Sequence, residues 1–241
     1  MNRRSKSQEN PNTGALRDFY DRIYYANVSA CPNIPRHYRQ LARKLRPWNG
    51  IRLLDVACGT GQWLAAAAAL GAIPAGIDIS EKALDACRKS LPNSDLHCGS
   101  AEQLPFTDGY FDVISCLGAL EHFLDPHMAL CEMVRVAKPD AKFILLVPNL
   151  RFLSRRLGLY SGTEQADIRE EPRTLTQWHD LFTSAGLRVC HRWRDLHVLS
   201  PSWIFRGSFY AWPVRAAQAL ALPLWPLEWQ YQVYHLCTMR S

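Results

Sequence analysis

The sequence predicts an α/β fold with a mostly parallel sheet. Short apolar stretches with strand character alternate with helical stretches between residues 51 and 149. Alternation at such short intervals implies crossover units, in which each helix links two parallel strands. The apolar residues of 110–118 are nearly continuous, which is typical of a strand covered on both faces.

Helices are predicted first along the chain. Residues 14–46 have helical periodicity, and a second helix is predicted to begin at Pro35. An aromatic and aliphatic stripe follows the first helix at spacings of three and four: Leu16, Phe19, Tyr20, Ile23 and Tyr24.

Alternating strands and helices are predicted next. The predicted strands are 51–57, 72–79, a short one within 94–100, 110–118 and 142–149. The predicted helices between them are 61–71, 80–91 and 126–138. Ser80 is expected to cap the second of these helices, which has acidic residues early and basic residues late, as the helix dipole favours.

The pattern loosens after residue 150. Residues 150–173 are rich in Arg, Gly and acids and are predicted to form an inserted lid. A capped helix is predicted at 174–186, followed by strands at 187–199 and 229–240. With these two strands, the predicted sheet has seven strands.

Length and composition indicate one globular domain. The chain has 241 residues, 48% of them hydrophobic and 21% charged. Residues 1–13 are expected to be a flexible basic tail and 14–241 a single domain. Within it we expect N-terminal helices at 14–49, a cofactor-binding half at 50–149 and a substrate-side half with the lid at 150–241.

The positive charge is concentrated at the N-terminal end. Residues 1–50 carry ten Lys or Arg and three Asp or Glu, out of a formal net charge of +6 for the chain. This segment either favours an anionic surface or substrate, or is a solvated helix face with a flexible tail. No dense basic run with interleaved aromatic residues occurs, so nucleic-acid binding is not expected.

Cysteine use predicts a cytoplasmic protein. The chain has eight cysteines without C-x-x-C spacing, which indicates reduced and mostly buried thiols. The N-terminal residues are polar where a secretory signal has an apolar stretch, so no such signal is expected. The apolar stretch 216–230 is too short to span a bilayer. It is either a core or cap helix end, or a peripheral membrane contact anchored by Trp212, Trp225 and Trp229.

The stretch LLDVACGTGQW (53–63) predicts a nucleoside site. Gly59 and Gly61 lie where a strand gives way to a helix, the place where open sheets bind nucleotides. A dinucleotide turn needs a third glycine where Leu64 stands, and Trp63 would crowd a pyrophosphate. Asp78, at the end of the next strand, can accept both ribose hydroxyls. A purely structural tight turn is the remaining alternative.

Four segments in order carry a family resemblance: LLDVACGTGQW, GIDIS, GSAEQLPF and YFDVISCLGALEHFLDP. Together they resemble class I S-adenosylmethionine-dependent methyltransferases, in the small-molecule branch of the ubiquinone and menaquinone biosynthesis enzymes. The resemblance covers about residues 50–150 and extends weakly to TLTQWHDLFTSAGLRV. It implies a Rossmann-like, seven-stranded, mostly parallel sheet with helices on both faces, an N-terminal helical cover and an inserted lid.

The resemblance also implies a cofactor, S-adenosyl-L-methionine, and a set of residues that bind it. By position these are Asp55, Ala57, Gly59, Gly61, Asp78, Ile79, Ser100, Ala101, Glu102, Cys116 and Leu117, with Gly118 closing the site. Ala57 stands where the family commonly has glycine, and Ser100 where it often has aspartate.

His122 is the candidate catalytic base or substrate-orienting residue, because it follows the fourth predicted strand at the edge where substrates bind. Its alternative role is to cap or brace the next helix. No metal is expected. A three-ligand E-x-x-E-H pattern ending at Glu121 and His122 would need a glutamate where Gly118 stands.

The acceptor is expected to be a small molecule, methylated on oxygen or carbon. Candidate substrate residues are Tyr20, Tyr24, Asn149 and Tyr160, with Tyr25, Trp178 and Trp203 as further aromatic walls. Simple packing is the alternative for the aromatic residues. Arg151, Arg155 and Arg156 either meet an anionic acceptor or form a solvated helix face.

Two other classes remain alternatives: a non-catalytic protein that binds the same cofactor, and a nicotinamide-dependent oxidoreductase. Base-amino methylation of nucleic acid is disfavoured, because the [DN]-P-P-[YFW] motif of those enzymes is replaced by CLGA. The oligomeric state is not predicted.

Overall fold

A seven-stranded sheet organises the chain in the computed structural model, which describes residues 11–26, 33–156, 173–196, 205 and 209–240. The strands are β1 (Arg52–Val56), β2 (Ile73–Asp78), β3 (Asp95–Cys98), β4 (Phe111–Leu117), β5 (Ala137–Pro148), β6 (Leu187–Arg194) and β7 (Gln232–Met239). Their order is β3-β2-β1-β4-β5-β7-β6. Strands β1 to β5 pair in parallel, and β7 runs antiparallel to both β5 and β6. The predicted fold class is confirmed.

Helices cover both faces of this sheet. They are α1 (Pro11–Phe19), α2 (Arg36–Lys44), α3 (Gln62–Ala68), α4 (Glu81–Ser90), α5 (Pro126–Val136), α6 (Leu153–Arg156), α7 (Leu175–Ser184) and α8 (Trp212–Ala221). A π-helix follows α1 at Tyr20–Tyr24, and 3-10 turns lie at Leu120–His122, Phe209–Ala211, Leu222–Leu224 and Leu227–Trp229. No helix within the described ranges has both the length and the apolar character needed to cross a bilayer.

Two apolar cores lie on opposite faces of the sheet. One core joins the strands to α5 and α7, with Trp178 and Phe182 fully buried. The other joins them to α2, α3 and α4, with Trp63 and Leu84 at its centre. The central strands are therefore apolar on both faces, as the nearly continuous apolar run of β4 predicts.

Local signals place the helix ends. The Ser80 side chain accepts a hydrogen bond from the Ala83 backbone N–H and caps α4, as predicted. Asp125 caps α5, and Thr174 with Gln177 forms a capping box at the start of α7.

Several element boundaries differ from the prediction; β6, for example, ends at Arg194 and β7 begins at Gln232. The first helix begins at Pro11 rather than at residue 14, because proline is well suited to a first helical turn. Helix α5 ends at Val136 and β5 begins at Ala137, which pairs with Phe111 before an irregular stretch; regular pairing resumes where Lys142 meets Val113. Most of the predicted lid, residues 157–172, lies outside the described residues.

The aromatic stripe of the first helix also changes phase. From Tyr20 the helix is a π-helix, with the Tyr25 N–H donating to the Tyr20 carbonyl. The wider turn rotates later residues away from the α-helical stripe. Ile23 is consequently 64% exposed, whereas Tyr25 turns inward.

Candidate active site

A cavity of about 420 Å³ opens at the carboxyl ends of β1, β2 and β4. This crevice is where open α/β sheets bind ligands, and its volume is typical of a small-molecule site. Nine predicted cofactor residues line it: Asp55, Ala57, Gly59, Asp78, Ile79, Ser100, Ala101, Glu102 and Leu117. Tyr20, Tyr24 and His122 line it as well.

Asp55, at the end of β1, is the most deeply placed acid of the cavity. The Ser115 hydroxyl donates to Asp55 Oδ1 over 2.7 Å, and the Trp63 indole N–H donates to the Ser115 oxygen over 2.9 Å. Burial raises the pKa of Asp55 to about 7, although the Ser115 hydrogen bond opposes the rise, and Asp78 adds to it. The site therefore contains a carboxyl group that ionises near neutrality, and a cationic ligand would stabilise its ionised form.

Asp78, at the end of β2, is fixed by backbone donors. Its two carboxylate oxygens accept N–H hydrogen bonds from Gly59 at 2.7 Å and Ser80 at 2.9 Å. Burial raises its pKa, and the backbone donors oppose that rise. Each carboxylate oxygen can accept a second hydrogen bond. Asp78 is therefore held in place and can still accept hydrogen bonds from the hydroxyl groups of a ligand.

The N-terminal segment closes the cavity from above. The Ser80 hydroxyl donates to Asp21 Oδ1 at 2.5 Å, and Arg17 donates to the Ile79 carbonyl at 3.3 Å. Tyr25 is thereby placed over the glycine turn: a Cβ on Gly59 would lie 2.8 Å from the Tyr25 hydroxyl oxygen. The predicted N-terminal cover is present.

The loop after β3 forms a side wall. Glu102 accepts hydrogen bonds from the backbone N–H groups of Leu124 and Asp125, at 3.1 and 3.2 Å, and from the Ser100 hydroxyl. Glu102 thus links the loop after β3 to the start of α5 and fixes the width of the cavity there.

His122 lies in the 3-10 turn after β4 and is 9% exposed. Its Nε2 atom is 4.0 Å from Glu121 Oε1, which is too long for a hydrogen bond. Because the side chain lines the cavity, the geometry permits contact with a bound acceptor.

Several predicted residues lie elsewhere. Gly61 and Cys116 are outside the cavity lining. A Cβ on Gly61 would lie 2.2 Å from Cys87 Sγ. The missing side chain therefore leaves space for the close packing of helix α4, not for a ligand. Cys116 is fully buried in the core.

Two of the predicted substrate residues have a structural role instead. Asn149 is buried, donates to the Glu228 carbonyl at 2.8 Å and accepts from the Arg151 N–H, so it braces the C-terminal segment. Trp178 is a core residue whose indole N–H donates to the Pro148 carbonyl. Tyr160 and Trp203 lie outside the described residues.

Some residues that line or support the cavity were not predicted. Tyr38 and Phe123 line the cavity, and Ser115 and Trp63 position Asp55. Ser115 carries a signal that could have identified it, because it interrupts the apolar stretch VISCL of β4 with a buried hydroxyl. Tyr38 carries no such signal, since its partner elements are distant in sequence.

The charges of the cavity select its ligand. Among the described residues, the lining contains the carboxyl groups of Asp55, Asp78 and Glu102 and no lysine or arginine. Such a lining disfavours a pyrophosphate and fits a nucleoside with a cationic group. S-adenosylmethionine, which has a ribose and a sulfonium, meets both requirements.

No metal centre is found in the described part of the chain. No group of three or more His, Cys, Asp and Glu side chains there is placed to hold an ion. Gly118 has no side chain to complete a set with Glu121 and His122.

Comparison with known proteins identifies the family. Residues 54–145 match the family described as a methyltransferase domain. The chain is 34% identical over 174 residues to the demethylmenaquinone methyltransferase of Clavibacter sepedonicus, covering 69% of each protein. It is 32% identical over 154 residues to a ubiquinone biosynthesis O-methyltransferase of Coxiella burnetii, covering 58% of this chain and 64% of the relative.

The fold comparison agrees. A chain of the solved complex between the Haloferax volcanii Trm112 methyltransferase activator and a putative methyltransferase superimposes with a TM-score of 0.71. The superposition covers 94% of this chain and 98% of that chain at 18% identity.

The chain belongs to the class I S-adenosylmethionine-dependent methyltransferases, and S-adenosylmethionine is the cofactor of this family. Across three curated relatives, the matched stretch spans between 46% and 69% of the relative's length.

Proposed function

We propose that this protein transfers a methyl group from S-adenosylmethionine to a small-molecule acceptor, an oxygen or secondarily a carbon of a hydrophobic or aromatic metabolite. The main observation that supports this proposal is the cavity at the carboxyl ends of β1, β2 and β4. Two buried carboxylates lie beside Gly59 in this cavity, and aromatic side chains lie above them. The names of the relatives, a demethylmenaquinone methyltransferase and an O-methyltransferase, support an acceptor of this class.

The two buried carboxylates of the cavity have different roles in this proposal. Asp78 accepts the ribose hydroxyls, and Asp55 stabilises the positive charge of the ligand. The cofactor supplies a methyl group on a sulfonium, a good leaving group for in-line displacement. The protein mainly aligns the two reactants, which can contribute about 7–11 kcal/mol.

His122 is proposed as the base or orienting residue for the acceptor, because its side chain reaches the cavity from the β4 edge. Tyr20 and Tyr24 are proposed to contact the acceptor from the N-terminal cover. A proton taken from an acceptor hydroxyl would pass to the His122 imidazole, since histidine is the side chain that most often serves as a general base.

The protein is proposed to act in the cytoplasm, with peripheral contact to a membrane. All the cysteines in the described residues are free thiols, which suits a reducing compartment. A hydrophobic acceptor partitions into lipid, so contact with a bilayer would bring the enzyme to its substrate.

Transfer of labelled methyl from S-adenosylmethionine into a metabolite or lipid extract tests the activity. Comparing extracts from cells with and without the gene then identifies the acceptor. Calorimetric binding of the cofactor without any labelled product would favour the non-catalytic alternative. Binding of a nicotinamide dinucleotide in its place would favour the oxidoreductase.

Two variants separate binding from chemistry. Asp78→Ala is expected to weaken cofactor binding at least tenfold, as loss of a bidentate charged hydrogen bond implies. His122→Asn is expected to keep cofactor affinity and to lower turnover about a hundredfold. Asp95→Ala, an exposed acid on β3, is the control. Unchanged cofactor affinity in Asp78→Ala would refute the ribose assignment.

A further inference from the structure

Exposed apolar side chains are concentrated in one stretch of the described chain. Of thirteen exposed large hydrophobic residues, seven lie between positions 205 and 229. Leu220 is 80% exposed and Leu224 is 84% exposed, so neither contributes to the core. Exposed apolar side chains that are concentrated in one stretch indicate an interaction site more often than scattered single residues do. We call residues 209–229 the C-terminal apolar segment.

This segment is held in a fixed position. The Gln230 side chain, 1% exposed, donates to the carbonyls of Leu222 at 2.8 Å and Trp225 at 3.2 Å. Asn149 donates to the Glu228 carbonyl. Buried amides thus anchor the turns of the segment from within. Among the elements that the structure describes, helix α8 has its main contacts with the 3-10 turns that flank it.

Positive charge lies in the stretch of chain that Asn149 joins to the segment. Arg151, Arg155 and Arg156 are all exposed, and no acidic residue occurs between 150 and 156. Asn149 connects this stretch to Glu228, and the Phe152 and Tyr231 rings meet at 5.0 Å. Within 209–229 the only charged residues are Arg215 and Glu228.

We propose that the C-terminal apolar segment, with Arg151, Arg155 and Arg156 at its edge, docks on the surface of an anionic lipid bilayer. Exposed leucine and tryptophan side chains in the segment, and arginines in the stretch that Asn149 joins to it, match the apolar boundary and the charged headgroups of such a surface. A uniformly apolar protein interface would not need the cluster of three arginines. The inference rests on the peripheral contact in the proposed function and names the surface and the lipid charge.

Vesicle flotation tests the docking without a methyl donor, so its outcome is independent of catalysis. Vesicles of phosphatidylcholine alone are compared with vesicles of about three parts phosphatidylcholine to one part phosphatidylglycerol. The wild-type protein is expected to float with the anionic vesicles and to be released at high salt. Leu220→Ser with Leu224→Ser should lower the bound fraction at least about tenfold. Met128→Ser, an equally apolar and 53% exposed residue on α5, should bind like the wild type.

A charge variant tests the second component. Arg151→Gln, Arg155→Gln and Arg156→Gln together should abolish the preference for anionic vesicles, whereas Arg188→Gln, exposed on β6, should not. Wild-type protein that stays unbound with both vesicle types would overturn the proposal. So would a dimer, detected by light scattering, that the Leu220→Ser and Leu224→Ser variant dissociates, because the segment would then join two copies of the chain.

Discussion

Asp55 illustrates how a single residue links sequence to chemistry. Its position at the end of an apolar strand predicts a functional acid. The structure explains its pKa: burial raises the pKa, and the hydrogen bond from the Ser115 hydroxyl partly opposes the rise. The pKa lies above the ordinary value of 3.8, so the folded protein retains a proton that the unfolded chain releases between about pH 4 and 7. The Asp55 contribution to stability is therefore complete at low pH and lost as the pH rises through about 7.

Cofactor affinity should consequently depend on pH. A cationic ligand binds the ionised carboxylate more strongly, so affinity should rise up to about tenfold from pH 6 to pH 8 as Asp55 ionises. Calorimetry at pH 6, 7 and 8 measures this slope. Asp55→Asn cannot ionise, and the ligand's own titration is common to both proteins, so the difference between the two slopes isolates Asp55. Parallel slopes would show that Asp55 does not titrate in this range.

Some contacts of the candidate residues could not be predicted from the sequence. Asn149 was predicted to bind substrate, but its amide contacts a carbonyl 79 residues later. Tyr25 is predicted only as an aromatic wall for the acceptor; its place over Gly59 follows a π-helix, whereas sequence periodicity assumes an α-helix. These roles depend on distant or irregular contacts that local pattern does not contain.

At the scale of elements, the glycine turn packs on helix α4 as well as facing the cavity. Gly61 has φ +76° and its missing Cβ leaves room for Cys87 Sγ, while Gly59 faces Tyr25. The two glycines of one motif thus serve two purposes. The motif predicts the turn. It does not distinguish a glycine whose missing side chain leaves space in the cavity from one whose missing side chain leaves space for a packed helix.

Replacing Gly61 should therefore damage stability through packing. Gly61→Ala combines a strained backbone with a collision against Cys87, which together should cost about 2–4 kcal/mol. Gly109→Ala is the matched control: its φ is +62° and nothing lies within 4 Å of the added Cβ, so about 1 kcal/mol is expected. Urea unfolding of both variants measures the difference. Equal losses would mean that α4 moves aside freely.

Helix and strand order was predictable because each element carries its own periodicity and caps. The boundary between α5 and β5 was displaced because the strand begins before an irregular stretch, where Ala137 already pairs with Phe111. Tertiary pairing, rather than local preference, decided that boundary.

At the scale of the whole molecule, the antiparallel β7 lies between β5 and β6 and is paired along both edges. Buried on both sides, it should exchange its backbone amide hydrogens slowly, together with β5. The edge strand β3, paired only with β2 in the described sheet, should exchange much faster. Hydrogen–deuterium exchange followed by mass spectrometry compares peptides covering 232–239 and 95–98, and similar rates would contradict this ordering.

The placement of β7 also affects how the chain folds as it is synthesised. In the described sheet, β6 has no neighbour other than β7, although it leaves the ribosome some forty residues earlier. During that interval the apolar side of β6 and the unpaired edge of β5 can both form non-native contacts. A nascent chain halted before Gln232 should therefore depend on chaperones, and a stop codon there should yield an aggregating protein rather than a shortened enzyme.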